Sequence, residues 1–372
     1  MINKSLQYYL QVFCLTVACL IPQHVLSDEP LLFQDYIQSI KIIKLEKAIF
    51  SSPAATWNDH VIVGSHDKCI YFFNKKGDLI KKFETRGWVH ASPTILPDSS
   101  IAIGSYDGYI YFFNTLGELK EKIKPAKGSL FTSVIDFHSR FLVYGSNKKG
   151  IVFFNKEDST SHIYPVKRWV HGTPSIVNDD KLAIGSNDKH IYIFDRDANL
   201  ITKVKTRGWI MHSAPVSISK KSFAFGSYDK KLYIYNLEED KMKSFKTKGR
   251  IHSTPLKTKD SRIVFGSFDR FIYFLKPDGT LFKKYKTRKK VVSSAVSIND
   301  SIIVIGSYDR NLYFFSNEGV LLGSYKTKGR IFSTPIVLSN NTIVVCTTNG
   351  YIEYLKVNPL PERPKPLPQL TP

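Results

Sequence analysis

The chain repeats itself about every forty residues, and this periodicity constrains its fold more than anything else in it. GSYDGYIYFFN (104–114) has close copies in GSHDKCIYFFN from Gly64, GSNDKHIYIFD from Gly185, GSYDKKLYIYN from Gly226, GSFDRFIYFLK from Gly266 and GSYDRNLYFFS from Gly306. The GS glycine falls at 64, 104, 145, 185, 226, 266 and 306, and Cys346 takes its place in a last, degenerate copy, so the steps are 40, 41, 40, 41, 40, 40 and 40. A second landmark, at Phe50, His90, Phe131, His171, His212, His252, Val292 and Phe332, moves by the same steps. Two landmarks in lockstep define a repeat architecture, in which one unit cannot bury its own faces and must stack on its neighbours.

Each unit contains four short apolar runs. In the second copy they are ASPTIL, SIAIGS, YIYFFN and LKEKIK, separated by turn chemistry at Pro97-Asp98, Asp107-Gly108 and Leu116-Gly117. Asp-Gly between apolar runs is a hairpin signal, and four antiparallel strands in forty residues match a propeller blade. The third run, IYFF in its commonest form, is apolar at successive positions, as in strands covered on both faces. The last copy supplies three strands and ends near Val357. The lead-in IKIIKLEKAI (40–49) precedes FSSP as SYKTKGRI precedes FSTP, so the N-terminus can furnish the missing strand. The expectation is an all-β, eight-bladed β-propeller of four-stranded antiparallel blades over 38–357, its ring closed by an N-terminal strand without a free edge.

The flanks have other compositions. Residues 1–27 combine Lys4, an apolar stretch and a small residue at Ser27, with Val25 and Ser27 suited to the −3 and −1 positions, the layout of a secretory signal cleaved after Ser27. Two alternatives stay open: an N-terminal membrane anchor, and lipidation of Cys19, since Thr16-Val17-Ala18-Cys19 approximates a lipoprotein box. The tail 358–372 has six prolines in fifteen residues and reads as an extended spacer or partner ligand. Beyond the signal only Cys69 and Cys346 remain, in the first and last copies, where a disulfide across the seam is possible. No metal-type spacing of cysteine or histidine occurs. The formal charge of +21 makes an anionic partner plausible.

The pattern SSP…I.IGS.DG.IYFFN..G.L…F.T resembles the pyrroloquinoline-quinone-type propeller repeat, over nearly all of 38–357. That family contains quinoprotein dehydrogenases, which hold quinone and Ca²⁺ near the axis, and non-enzymatic propellers, among them an outer-membrane assembly lipoprotein. The chain departs from the enzymes. The region where they carry a tryptophan late in the fourth strand reads KKFET, KSFKT, KKYKT and GSYKT here. Adjacent cysteines are missing from the sequence, and steps of 40 and 41 leave no room for inserted cofactor loops. The resemblance implies the non-enzymatic branch, with no cofactor and no active site, and a protein scaffold exported to the envelope or beyond.

Three repeated features are weighed for function. Asp67, Asp107, Asp188, Asp229, Asp269 and Asp309 follow the GS motif; their recurrence favours turn capping over a cation site. His90, His171, His212 and His252 share a position with Phe50, Phe131 and Phe332, which marks it as a packing position. The link from each fourth strand to the next blade is basic: TRGW (85–88), KRW (167–169), KTRGW (205–209), KTKGR (246–250), KTRKK (286–290) and KTKGR (326–330). On one propeller face these would form a cationic ring, read either as a docking surface or as solvated charge. The candidate partner-binding residues are Arg86, Trp88, Arg207, Trp209, Lys248, Arg250, Arg288, Lys289, Lys328 and Arg330. Trp88, Trp169 and Trp209 can serve an interface or pack between blades. The partner expected is an envelope protein, met by a monomeric propeller with peripheral membrane association possible. The alternatives are an acidic polymer (glycan, lipid headgroup or nucleic acid, the last disfavoured by the export signal) and a degenerate quinoprotein.

Overall fold

A computed structural model describes residues 37–148 and 150–358. Every repeat folds as an antiparallel meander, and eight such four-stranded sheets form the ring. In blade 2 the strands are Thr94–Ile95, Ile101–Gly104, Ile110–Phe113 and Leu119–Ile123, from the axis outward. The signal segment, the lipobox cysteine and the proline-rich tail lie outside the described residues.

The third strands are buried on both faces, as their unbroken apolar runs require. In blade 1, Ile70 and Phe72 join a cluster with Ile101, Ile103 and Phe113 of blade 2. The alternate residues Tyr71 and Phe73 face backward and pack with Val344, Ile352 and Tyr354 of blade 8. Successive side chains of a strand point to opposite faces, so one IYFF run fills half of two blade junctions.

The GS glycine has a reason unrelated to turns. A Cβ on Gly64 would lie 2.4 Å from Cγ1 of Val89 in the next blade, and one on Gly226 would lie 2.4 Å from Cγ2 of Ile251. The second strand is stripped to backbone there so that the next blade's entering aliphatic residue can seat against it.

The ring closes as the lead-in suggested. Ile37–Lys44 pairs antiparallel with Tyr351–Val357, Ile43 opposite Ile352, and becomes the outer strand of blade 8. Around the axis the Thr334 N–H donates to Ser52 Oγ (2.9 Å), as the Ser52 N–H does to Ser92 Oγ (2.8 Å), so the seam repeats a contact used between other blades. Cys69 and Cys346 are both buried in the seam cluster, as free thiols rather than the disulfide left open above. Burial pushes the Cys69 thiol up to about 11, which keeps it protonated and unreactive at neutral pH.

Gly226→Val should destabilise the propeller by about 1–3 kcal/mol through overpacking against Ile251. Urea denaturation checks this; an unchanged midpoint would mean that the blades do not touch there as described.

Candidate docking face and the plugged axis

The links and the hairpins between second and third strands share one face, held together blade to blade. Tyr106 N–H donates to the Trp88 carbonyl (2.9 Å), Tyr228 N–H to that of Trp209 (2.8 Å) and Phe268 N–H to that of Arg250 (2.9 Å). The GS-motif aspartate locks this contact. Oδ1 of Asp107 accepts the Tyr109 N–H two residues on (3.1 Å), capping the turn. Its Oδ2 accepts the Tyr111 hydroxyl of its own third strand (2.8 Å) and the Arg86 N–H of the preceding link (2.9 Å). Asp188, Asp229, Asp269 and Asp309 repeat both Oδ2 contacts, with Tyr192, Tyr233, Tyr273 and Tyr313 and with the backbones of Lys167, Arg207, Lys248 and Arg288. Asp67, Asp107, Asp188, Asp269 and Asp309 cap their turns, as expected, whereas Oδ1 of Asp229 has no partner among the described residues; all but Asp67 also fasten links.

Among the described residues, three blades depart from this clip: in blade 1 Asp67 accepts the Tyr71 hydroxyl (2.8 Å) but no link N–H, and in blades 3 and 8 the aspartate itself is replaced. Blade 3 has Lys148 and Val152 where the Asp and Tyr would stand, so both partners are lost together. Blade 8 has Asn349 and Glu353; the buried Glu353 takes over, its Oε1 accepting the Lys328 N–H (2.7 Å). Burial raises the pKa of that carboxyl, and the Lys328 N–H opposes the rise.

With the link backbone clipped, its side chains turn outward. Arg86, Arg207, Lys248, Arg250, Arg288, Lys289, Lys328 and Arg330 are all exposed. A further basic set was not singled out from sequence: Lys68, Lys189, Lys230, Arg270 and Arg310 sit at the hairpin tips of the same face, with φ of 70–74°. Glycines hold that tip in two other blades, Gly108 and Gly350. A left-handed non-glycine residue costs about 1 kcal/mol, so these five basic residues occupy positions where glycine would be more stable. Among the described residues, no side chain of either set lies within 4.0 Å of a carboxylate. The nearby turn aspartates form no ion pairs with these cations, because their carboxylates bind link backbone instead.

Trp88, Trp169 and Trp209 are 49%, 55% and 41% exposed on this face, so they are not buried between blades. Trp88 stacks on His66 (centroids 4.9 Å apart, 9° between planes), and Trp209 on Tyr228 (6.4 Å, 23°).

Beneath the mouth the repeated His/Phe position converges on the axis. Phe131 stacks on His171 (4.1 Å) and His212 on His252 (4.3 Å). His212 also touches Phe131 (5.4 Å), His90 (5.9 Å) and Phe332 (5.9 Å), so it stands among the rings of the other blades. The cause is legible afterwards: Met211 is the extra residue of that 41-residue step, and His212 takes φ 64° to swing inward. Below this plug is a cavity of ≈ 200 Å³ walled by the Ser/Thr positions, including Ser52, Ser92, Ser133 and Thr254. Burial in the plug lowers the imidazole pKa values, to about 3 for His90 and His252 and about 4 for His171, and holds the rings neutral. The His/Phe position is a packing position, as read. Among the described residues no group of three or more His, Cys, Asp or Glu is arranged to hold a metal ion.

No family model matches the sequence, and no curated protein matches it. Solved structures do resemble the fold. The crystal structure of BamB from Moraxella catarrhalis superposes with a TM-score of 0.72 at 13% identity, covering 86% of this chain and 99% of that one. A computationally designed protein, Ika8, gives a TM-score of 0.70 at 15% identity over 86% of this chain and 99% of its own. At such identities the likeness is one of fold: this chain is a BamB-like eight-bladed propeller in architecture.

Acid should destabilise the ring through the plug. The unfolded chain takes up a proton on each histidine below about pH 6.5, whereas the folded rings resist protonation until about pH 3–4. Stability is therefore fully present above pH 6.5 and falls with pH below it, by about 1.4 kcal/mol per unit for each such histidine. His252→Phe, which copies Phe332, should flatten this slope in urea titrations between pH 7 and 4.5. An unaltered slope would show that the plug is not dry.

Proposed function

We propose that the chain is an exported, non-catalytic propeller that serves as a protein–protein scaffold in the envelope or outside the cell, with the link face as its docking surface. The observation that carries this is the treatment of charge on that face. Five hairpin tips hold Lys or Arg in a backbone conformation that favours glycine, and the neighbouring links leave their cations free of carboxylate partners. Solubility alone does not require cations at strained positions; an anionic surface to meet does. Half-exposed tryptophans beside arginines suit the centre of a protein interface, where large aromatic and guanidinium groups contribute most of the binding energy. The non-catalytic part of the reading rests on the repeats, whose steps leave no space for cofactor loops, and on the likeness to BamB, which belongs to the non-enzymatic branch that the repeats resemble.

The test is retention of a partner from detergent-solubilised envelope by the mature protein. One stoichiometric protein should survive both physiological and high-salt washes. Reversal of Arg207, Lys248, Arg288 and Lys328 to Glu should slow its association by about tenfold or more. Recovery of acidic glycan, lipid or nucleic acid alone, shed by salt, would replace the scaffold reading with a polyanion-binding one.

A further inference from the structure

One column of the link face is not uniform, and its irregularity has a direction. In every blade but the third, the third link residue is placed by the same backbone contact, its carbonyl accepting an N–H from the next hairpin. At this position the links entering blades 2, 4 and 5 carry Trp88, Trp169 and Trp209, while those entering blades 6, 7 and 8 carry Arg250, Lys290 and Arg330. Blade 1 has Ala48 there and blade 3 has Ser129. Around the mouth the column is therefore uncharged through blades 1–5 and cationic through blades 6–8.

The two arcs are built, not merely composed. Arg250 lies over the Tyr228 ring (5.2 Å), and Lys290 lies between Phe268 (4.6 Å) and Tyr308 (4.5 Å). These rings line the mouth above the plug, with His252 6.2 Å from both Tyr228 and Phe268. Cations held on aromatic faces are fixed in direction and partly stripped of water, which strengthens their pull on an anion. Tyr228 joins the arcs, since Trp209 stacks on it from one side and Arg250 covers it from the other.

We infer that the mouth binds an acidic segment of a partner protein, laid across the axis with its aromatic or apolar side chains on the Trp88–Trp209 arc and its carboxylates on the Arg250–Arg330 arc. This rests on the scaffold reading and names the chemistry of the partner. Charge complementarity selects an anion, and the division of the column selects a peptide. A single strand of nucleic acid or a uronic-acid glycan repeats charge and stacking face at every unit, and its binding sites alternate cation with aromatic along the track. In this column the two are gathered on opposite sides, which suits a chain whose acidic and apolar residues are themselves separated. Half-exposed tryptophans and ring-mounted cations are the groups whose desolvation contributes most when such a segment settles.

The experiment is selection of random displayed peptides on the mature full-length propeller. Binding of recovered peptides is followed by the fluorescence anisotropy of a dye attached to the peptide. The wild type is compared with a cation-arc variant, R250E/R330E, and a tryptophan-arc variant, W88A/W209A, each first checked for unchanged thermal unfolding. Recovered peptides should pair a run of Asp or Glu with Trp, Tyr or Phe. Each variant should weaken them by about tenfold or more, the cation-arc variant also flattening the salt dependence. Three results would overturn the inference: no recovered peptide, binders without acidic residues, or binding indifferent to both variants. Tighter binding of oligogalacturonate or oligo-dT than of any peptide, abolished by the same variants, would give the mouth to a polyanion instead. An envelope protein retained equally by wild type and both variants would overturn this site and leave the scaffold reading standing; absence of such a protein while acidic peptides still bind the mouth would do the reverse.

Discussion

The two-way hydrogen bond of the GS-motif aspartate organises the exposed half of this molecule. One carboxylate oxygen caps its own turn, and the other accepts both a buried tyrosine hydroxyl and the backbone N–H of the link from the preceding blade. A charged acceptor shared by two donors is stronger than a neutral one, and here it spans two blades. Its effect is directional. Because the link is fastened by its backbone, its side chains are released to solvent, and because the fastening recurs, the released side chains line up in rings. The cationic face follows from a contact that consumes carboxylates in structural work.

The aspartate and its tyrosine behave as a unit. Blade 3 lacks both, and blade 8 replaces them with Asn349 and the buried Glu353, which reaches the Lys328 N–H unaided. A carboxyl in that setting is costly unless it is hydrogen-bonded, and the link N–H satisfies it. Repeats tolerate divergence where the exchanged groups still close the same hydrogen bond. The GS glycine obeys a different constraint, the space needed by the next blade's Val, Leu or Ile, and it is lost only at the seam, where Cys346 stands in its place.

Function follows from how the symmetric frame is broken. A perfectly repeated face would offer a partner eight equivalent orientations. The inserted Met211 turns His212 into the axis and closes the channel, so the face has a floor. The exchange of tryptophan for arginine or lysine at one column then gives the mouth an aromatic side and a cationic side. Both changes occur on a scaffold whose core is indifferent to them, because every blade junction is packed by strands that lie further from the axis.

The sequence by itself determined the architecture. A forty-residue period kept by two landmarks, four apolar runs per period and a lead-in matching the missing strand leave little but an eight-bladed ring. The structural role of the aspartates, the packing role of the His/Phe position and the sharing of one face by links and hairpins were also legible, because each is local to one repeat or to neighbouring ones. Only the tertiary structure decided the rest. That the tryptophans are half-exposed, that Lys68, Lys189, Lys230, Arg270 and Arg310 join the same face in a strained conformation, and that His212 meets rings from five other blades all depend on where the ring brings distant residues. So does the fate of the two seam cysteines, neighbours in one cluster yet unbonded. Periodicity records which residues are equivalent; convergence on an axis is a property of the closed ring, and no single repeat contains it.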